Sequence, residues 1–95
     1  MTFKDINHII NFAESKGSHF FDEDSLEFFN SEIEDGVYGE NRNYFITSEQ
    51  FEFQDDSEPR KWTIRQIDEE GHVTTFGTFQ EFNSLEDAIA KAQTL

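Results

Sequence analysis

Hydrophobic and polar positions alternate most clearly over residues 61–82, KWTIRQIDEEGHVTTFGTFQEF. Two runs rich in β-branched and aromatic residues flank Asp68-Glu69-Glu70-Gly71, the pattern of a β-hairpin. Asp favours the first position of a type I turn, and a glycine can take the left-handed conformation that follows it. With Glu69, Glu70 and Gly71 as the loop, Ile67 faces Val73, Arg65 faces Thr75, Ile64 faces Phe76, and Trp62 lies opposite Thr78. Trp62, Ile64 and Phe76 then share one face, which is read as the core face.

The pattern changes to helical spacing at both ends of the chain. Over residues 2–15, Phe3, Ile6, Ile10 and Ala13 recur on one face and Ile9 widens the stripe. Thr2 is the expected N-cap, with Asp5 completing a capping-box-like pair, and Gly17 stands where a helix-ending glycine belongs. Residues 18–21 read as an extended entry. Asp22 then caps a short helix over DEDSLEFFN, whose first-turn acids suit the helix dipole and whose Leu26 and Phe29 face inward. Residues 33–38 form a weak strand broken at Asp35-Gly36, and residues 39–43 are a loop by composition. Residues 44–47 form a strand that either stops at Ser48 or continues through Phe51 and Phe53. Residues 54–60, with the single proline, are a loop. From Ser84 to Leu95 the apolar face of Leu85, Ala88, Ile89, Ala92 and Leu95, opened by a Ser84/Asp87 capping box, predicts the last helix.

This order predicts an α+β fold: a small antiparallel sheet of three to four strands with helices packed on one face, all in a single acidic domain spanning residues 1–95. The length of 95 residues suits one domain. Hydrophobic residues are only 35% of the chain, but 12 of them are Phe, so the core is expected to be small and aromatic. The absence of cysteine excludes disulfides and thiol chemistry and fits a reducing cytoplasm. The start of the chain lacks the pattern of a signal peptide, and no apolar run approaches the ~18 residues of a membrane span.

Charge changes the picture more than composition does. The net charge is −14, which repels nucleic acid and anionic membranes and attracts basic surfaces. Residues 19–58 contain 13 acids and one base, Arg42, for a net of −12, whereas the rest of the chain carries only −2. One reading is a solvated, solubilising surface. The other is a binding face in which carboxylates stand in for phosphates, which occur about every 1.7 Å along the axis of duplex DNA. The carboxylates assigned to that face are Asp22, Glu23, Asp24, Asp55, Asp56 and Glu58. The adjacent pairs Phe20-Phe21 and Phe28-Phe29 are read either as core with second-face packing or as sources of an exposed anchor inside an acidic rim; Phe28 is assigned that anchoring role.

Catalytic signals are few. His8, His19 and His72 are far apart without metal-ligand spacing, and no metal site or cofactor is expected. Asp22-Glu23-Asp24-Ser25-Leu26-Glu27 starts like a calcium loop but has Glu27 where the sixth-position glycine is needed. No nucleophile elbow or glycine-rich phosphate loop exists. Enzyme activity is therefore not expected, and no catalytic residue is assigned.

His19-Phe20-Phe21, Ser25-x-x-Phe28-Phe29-Asn30-Ser31, Tyr44-Phe45-Ile46-Thr47-Ser48-Glu49-x-Phe51 and Arg60-x-Trp62-Thr63-Ile64-Arg65 together resemble a family of small uncharacterised bacteriophage and prophage proteins. The resemblance covers most of the chain after the first helix and brings no catalytic residues. It implies a phage or mobile-element origin. The expected partner is a host protein with a basic, nucleic-acid-binding surface, in the manner of a DNA-mimic anti-defence inhibitor, with no direct binding of nucleic acid or membrane. The alternative is a non-catalytic interaction or accessory module, compatible with a homodimer, in which Phe rather than charge carries binding.

Overall fold

The computed structural model describes residues 2–28, 30–50 and 60–95. In chain order the elements are α1 (Ile6–Ser15), α2 (Glu23–Phe28), β1 (Glu32–Ile33), β2 (Tyr44–Glu49), β3 (Lys61–Ile67), β4 (Val73–Phe76) and α3 (Leu85–Ala92). The strands form one antiparallel sheet in the order β1-β2-β3-β4. This is the α+β architecture that the hydrophobic pattern predicts, with four strands among the described residues.

The β3–β4 hairpin has the expected register: Ile67 faces Val73, Arg65 faces Thr75 and Ile64 faces Phe76. Asp68 builds the turn, its Oδ1 accepting the N–H groups of Glu70 and His72 at 2.9 Å each. Gly71 has φ +84, and a Cβ there would stand 2.6 Å from Cβ of Lys16. The hairpin tip therefore rests against the end of α1, and both backbone conformation and space demand glycine. The expected pairing of Trp62 with Thr78 is not formed. β4 ends at Phe76, residues 77–81 loop out, and Trp62 instead forms an isolated bridge with Phe82, N–H to carbonyl at 2.9 and 3.1 Å. The left-handed backbones of Gly77 (φ 78) and Gln80 (φ 57) turn the chain out and back.

The helices cover both faces of the sheet, not one. Phe45 and Ile46 are neighbours on β2, so their side chains point oppositely. Phe45 and Ile67 pack with Ile9 and Ala13 of α1, and with Phe3 and Phe21. Ile46 and Ile64 pack with Ala88 and Ala92 of α3, flanked by Trp62 and Phe76. Full burial of each Ile or Phe contributes roughly 1.5–3 kcal/mol. A chain of this size closes two small cores this way, because the sheet between them serves both.

Local boundaries follow from capping. α1 begins after Asp5, whose Oδ1 accepts the His8 N–H at 2.9 Å; Thr2 is not the cap. The reason lies in Phe3, which is buried and donates its N–H to the Asn41 carbonyl at 3.0 Å, holding residues 2–4 out of the helix. The stripe of α1 is centred on Ile9 and Ala13, with Ile6, Ile10 and Phe12 at its flanks. At the other end, Ser18 N–H reaches the Ala13 carbonyl and Gly17 N–H the Glu14 carbonyl, each at 3.0 Å, with Gly17 at φ 84. This is a Schellman motif, as expected of that glycine. Ser84 caps α3 by accepting the Asp87 N–H. The weak strand is split as its Asp35-Gly36 break predicts: β1 covers two residues, and Tyr38 rejoins the sheet in a bridge to Tyr44. β2 runs through Ser48 to Glu49, so that segment is strand and not turn. The inward placement of Phe29 and the continuation through Phe51 and Phe53 lie outside the described residues.

Candidate protein-binding surface

α2 has no buried residue. Leu26, expected to face inward, is half-buried, and the segment is held from both sides. On the N-terminal side, Phe21 is buried against Phe45 (ring centroids 5.6 Å apart), and Phe20 stacks edge-on to both rings at 5.0 and 6.1 Å. On the C-terminal side, Ser31 N–H donates to the Leu26 carbonyl at 2.8 Å and Asn30 N–H to the Glu27 carbonyl at 3.0 Å. Asn30 sits at φ 47. This repeats the bond pattern at the end of α1, with asparagine in the left-handed position that glycine holds there.

Asn30 is itself tied to the sheet. Its Nδ2 donates to the Gln50 carbonyl at 2.7 Å, and its carbonyl accepts from Arg60 Nη2 at 2.5 Å. Arg60 also donates through Nε to Ser48 Oγ at 2.6 Å and through Nη2 to the Ser48 carbonyl at 3.0 Å. Its guanidinium lies 3.7 Å from Glu32.

The assigned residues Glu23, Asp24 and Phe28 are on α2, and Asp22 immediately precedes it. All are exposed, Phe28 by 76%. Asp24 and Phe28, four residues apart, lie on one helix face. The Asp22 carboxylate meets His19 Nδ1 at 2.8 Å. Asp55, Asp56 and Glu58 lie outside the described residues. Glu34 is half-buried and accepts a hydrogen bond from Trp62 Nε1 at 3.3 Å.

Glu49, counted among the acids of the charged stretch, is not at the surface at all; it is fully buried. Its Oε1 accepts from Arg65 Nη2 at 2.9 Å and from Thr47 Oγ1 at 2.5 Å, and its Oε2 accepts from Thr63 Oγ1 at 2.9 Å. Arg65 completes the set with Nε to Thr47 Oγ1 (3.1 Å) and Nη1 to Thr75 Oγ1 (2.6 Å). The guanidinium lies 5.4 Å from the ring centroid of Phe20 and 5.3 Å from that of Phe79, a cation–π arrangement with both. Gln80 closes the edge, its N–H on Thr63 Oγ1 and its side-chain amide on the Glu49 carbonyl. Among the described residues no buried side-chain nitrogen or oxygen lacks a partner. Sequence reasoning missed this network. Its signal is the alternation Thr47-x-Glu49 and Thr63-x-Arg65, which places all four on one face, but alternation of that kind ordinarily marks a solvent face.

A pocket of ≈ 220 Å³ lies at the opposite end of β2, lined by Phe3, Asn41, Asn43, Gln66, Ile67, Asp68 and Glu69. Two of its polar groups are already committed, Asn43 Nδ2 to the Ile67 carbonyl and Asp68 to its turn. The backbone N–H of His72, together with that of Glu70 and the His72 ring, holds the Asp68 carboxyl below its ordinary range. Among the described residues no group of three His, Asp or Glu side chains is placed to hold a metal ion, and no helix is long and apolar enough to cross a membrane.

Residues 5–93 match a family of unknown function, DUF7447. The chain belongs to this family. No curated protein and no solved structure matches it.

Proposed function

We propose that this DUF7447 member is a small, non-catalytic binding module of phage or prophage origin. It docks on the basic, nucleic-acid-binding surface of a host protein, such as a defence nuclease, with carboxylates in place of phosphates. The observation that carries the reading is the display on α2. A helix that buries none of its own residues holds Glu23, Asp24 and Glu27 in solvent and ends on an exposed Phe28, with Asp22 just ahead of it. The net charge of −14 supports it, since electrostatic attraction to a cationic groove speeds encounter and is screened by salt. The buried Glu49–Arg65 pair supports a structural, not catalytic, use of the chain's best-placed polar groups, because among the described residues its hydrogen bonds close on other fold residues.

Phe28, exposed at the end of α2, favours a second reading, an interaction module anchored by its ring rather than by charge. One experiment separates the two. The immobilised protein captures partners from a bacterial lysate at low and high salt, alongside a variant with Asp22, Asp24, Asp55 and Asp56 changed to Asn and Glu23 and Glu58 to Gln, and a Phe28→Ala variant. The decoy reading expects a nucleic-acid-binding protein that is retained at low salt, released by high salt or added duplex DNA, and not captured by the six-carboxylate variant. Undiminished capture by that variant would sink it. Retention at high salt that Phe28→Ala abolishes would establish the second reading.

A further inference from the structure

We infer that Arg60 is the positioning residue for the α2 surface: its guanidinium is a polar latch that fixes where the α2 carboxylates and Phe28 stand. The consequence for binding rests on the reading above; the latch itself does not. None of the residues of α2 is fully buried, and Leu26 is half-buried. The N-terminal side of the helix is seated by the rings of Phe20 and Phe21, but its C-terminal side turns at Asn30, a residue exposed to solvent. There Arg60 is the bridge. One guanidinium joins the Asn30 carbonyl to both the hydroxyl and the carbonyl of Ser48, across 30 and 12 residues of sequence. Asn30 Nδ2 adds a bond to the Gln50 carbonyl. Nη2 alone joins the Asn30 and Ser48 carbonyls, and Nε, held in the same plane, adds the Ser48 hydroxyl; an ammonium has donors for the two carbonyls but lacks the fixed second nitrogen for the hydroxyl.

The fold needs none of these bonds for its two cores, which lie on either face of the sheet and contain neither Asn30 nor Arg60. Loss of the latch therefore loosens α2 locally and leaves the sheet intact. It spreads the acids and Phe28 over many poses and costs binding through ordering entropy.

The test is amide hydrogen exchange on the full chain, comparing wild type with Arg60→Gln, Arg60→Lys and Asn30→Gly. Asn30→Gly keeps the left-handed backbone and removes only the bond to Gln50. Exchange over residues 23–31 should accelerate about tenfold or more in Arg60→Gln, with partial rescue by Arg60→Lys and a smaller acceleration in Asn30→Gly. Exchange in β3, α1 and the part of β2 away from Ser48 should change far less, which separates local release from general unfolding. Unchanged exchange over residues 23–31 in Arg60→Gln overturns the latch. In the capture assay the Arg60→Gln variant should retain several-fold less partner than wild type at low salt. Faster exchange with undiminished capture overturns the positioning role. Failure of the wild type to capture any protein would sink the binding reading and leave exchange to decide the latch alone.

Discussion

Phe45 and Glu49 stand four residues apart on β2, point to the same face of the sheet, and are both completely removed from solvent. Around Phe45 that face is mostly apolar, closed by Ile9 and Ala13 of α1, although Arg65 stands directly across from Phe45 on β3 and reaches from there toward Glu49. Around Glu49 it is polar, closed by Arg65, by Thr47, Thr63 and Thr75, and by the rings of Phe20 and Phe79. One half is held by area removed from water, and tolerates repacking as long as volume is kept. The other is held by hydrogen bonds that must all close together, because a single orphaned buried charge costs more than the whole pair contributes. Equal burial thus hides unequal sensitivity to substitution.

The largest effect should come from breaking the polar half from one side. Arg65→Met leaves Glu49 buried without its counter-ion and should cost about 3–5 kcal/mol in urea unfolding. The double variant Arg65→Met with Glu49→Leu should lose less than Arg65→Met alone. Strict additivity of the two single losses would show that the halves do not differ as argued. Next in size is the apolar half's contact with the hairpin tip. Gly17→Ala and Gly71→Ala both place a side chain at φ +84. A Cβ in the left-handed region costs roughly 1–2 kcal/mol. Nothing lies within 4 Å of the new methyl at Gly17, whereas at Gly71 it meets Lys16 and Ala13. Gly71→Ala should therefore be clearly the more destabilising in the same assay; equal losses would mean that the hairpin tip yields.

The smallest effect concerns the exposed turn at the apolar half's end of the sheet. Hydrogen bonds to the folded-state carboxylate hold the pKa of Asp68 below its unfolded value. Its contribution is therefore present above the ordinary carboxylate range and is lost as pH falls through the folded pKa. Asp68→Asn should flatten that acid limb of a stability-against-pH curve and leave its shape near neutrality unchanged. An unaltered acid limb would show that the turn bonds form in the unfolded chain as well.

How far the sequence carried depended on how local each cause was. The hairpin register followed from one Asp, one Gly and two short alternating runs beside them. Ser84 and Asp87 announced α3, and Gly17 the end of α1. The sequence leaves the Phe28-Phe29 pair open between core packing and an exposed anchor; in the structure Phe28 is exposed. The cap of α1 was misplaced because Phe3, which looks like the first residue of a stripe, is pulled into the core by its bond to Asn41, in a loop far along the chain. Trp62 found Phe82 rather than Thr78 because an excursion of residues 77–81, closed by Gln80 on Thr63, interrupts the strand.

By itself the sequence determined the elements, the antiparallel hairpin, and a net charge of −14 concentrated in residues 19–58, because spacing, capping and charge are properties of neighbours. Only the tertiary structure decided that α1 and α3 take opposite faces, that Glu49 leaves the acidic surface to meet Arg65, and that Arg60 reaches Asn30. Each of these joins groups distant in sequence, or two elements whose apolar faces look alike in one dimension. The physical reason is that a carboxylate reads the same in sequence whether it meets water or a guanidinium. Its environment is set by what the folded sheet brings across from other strands, and no local pattern records that.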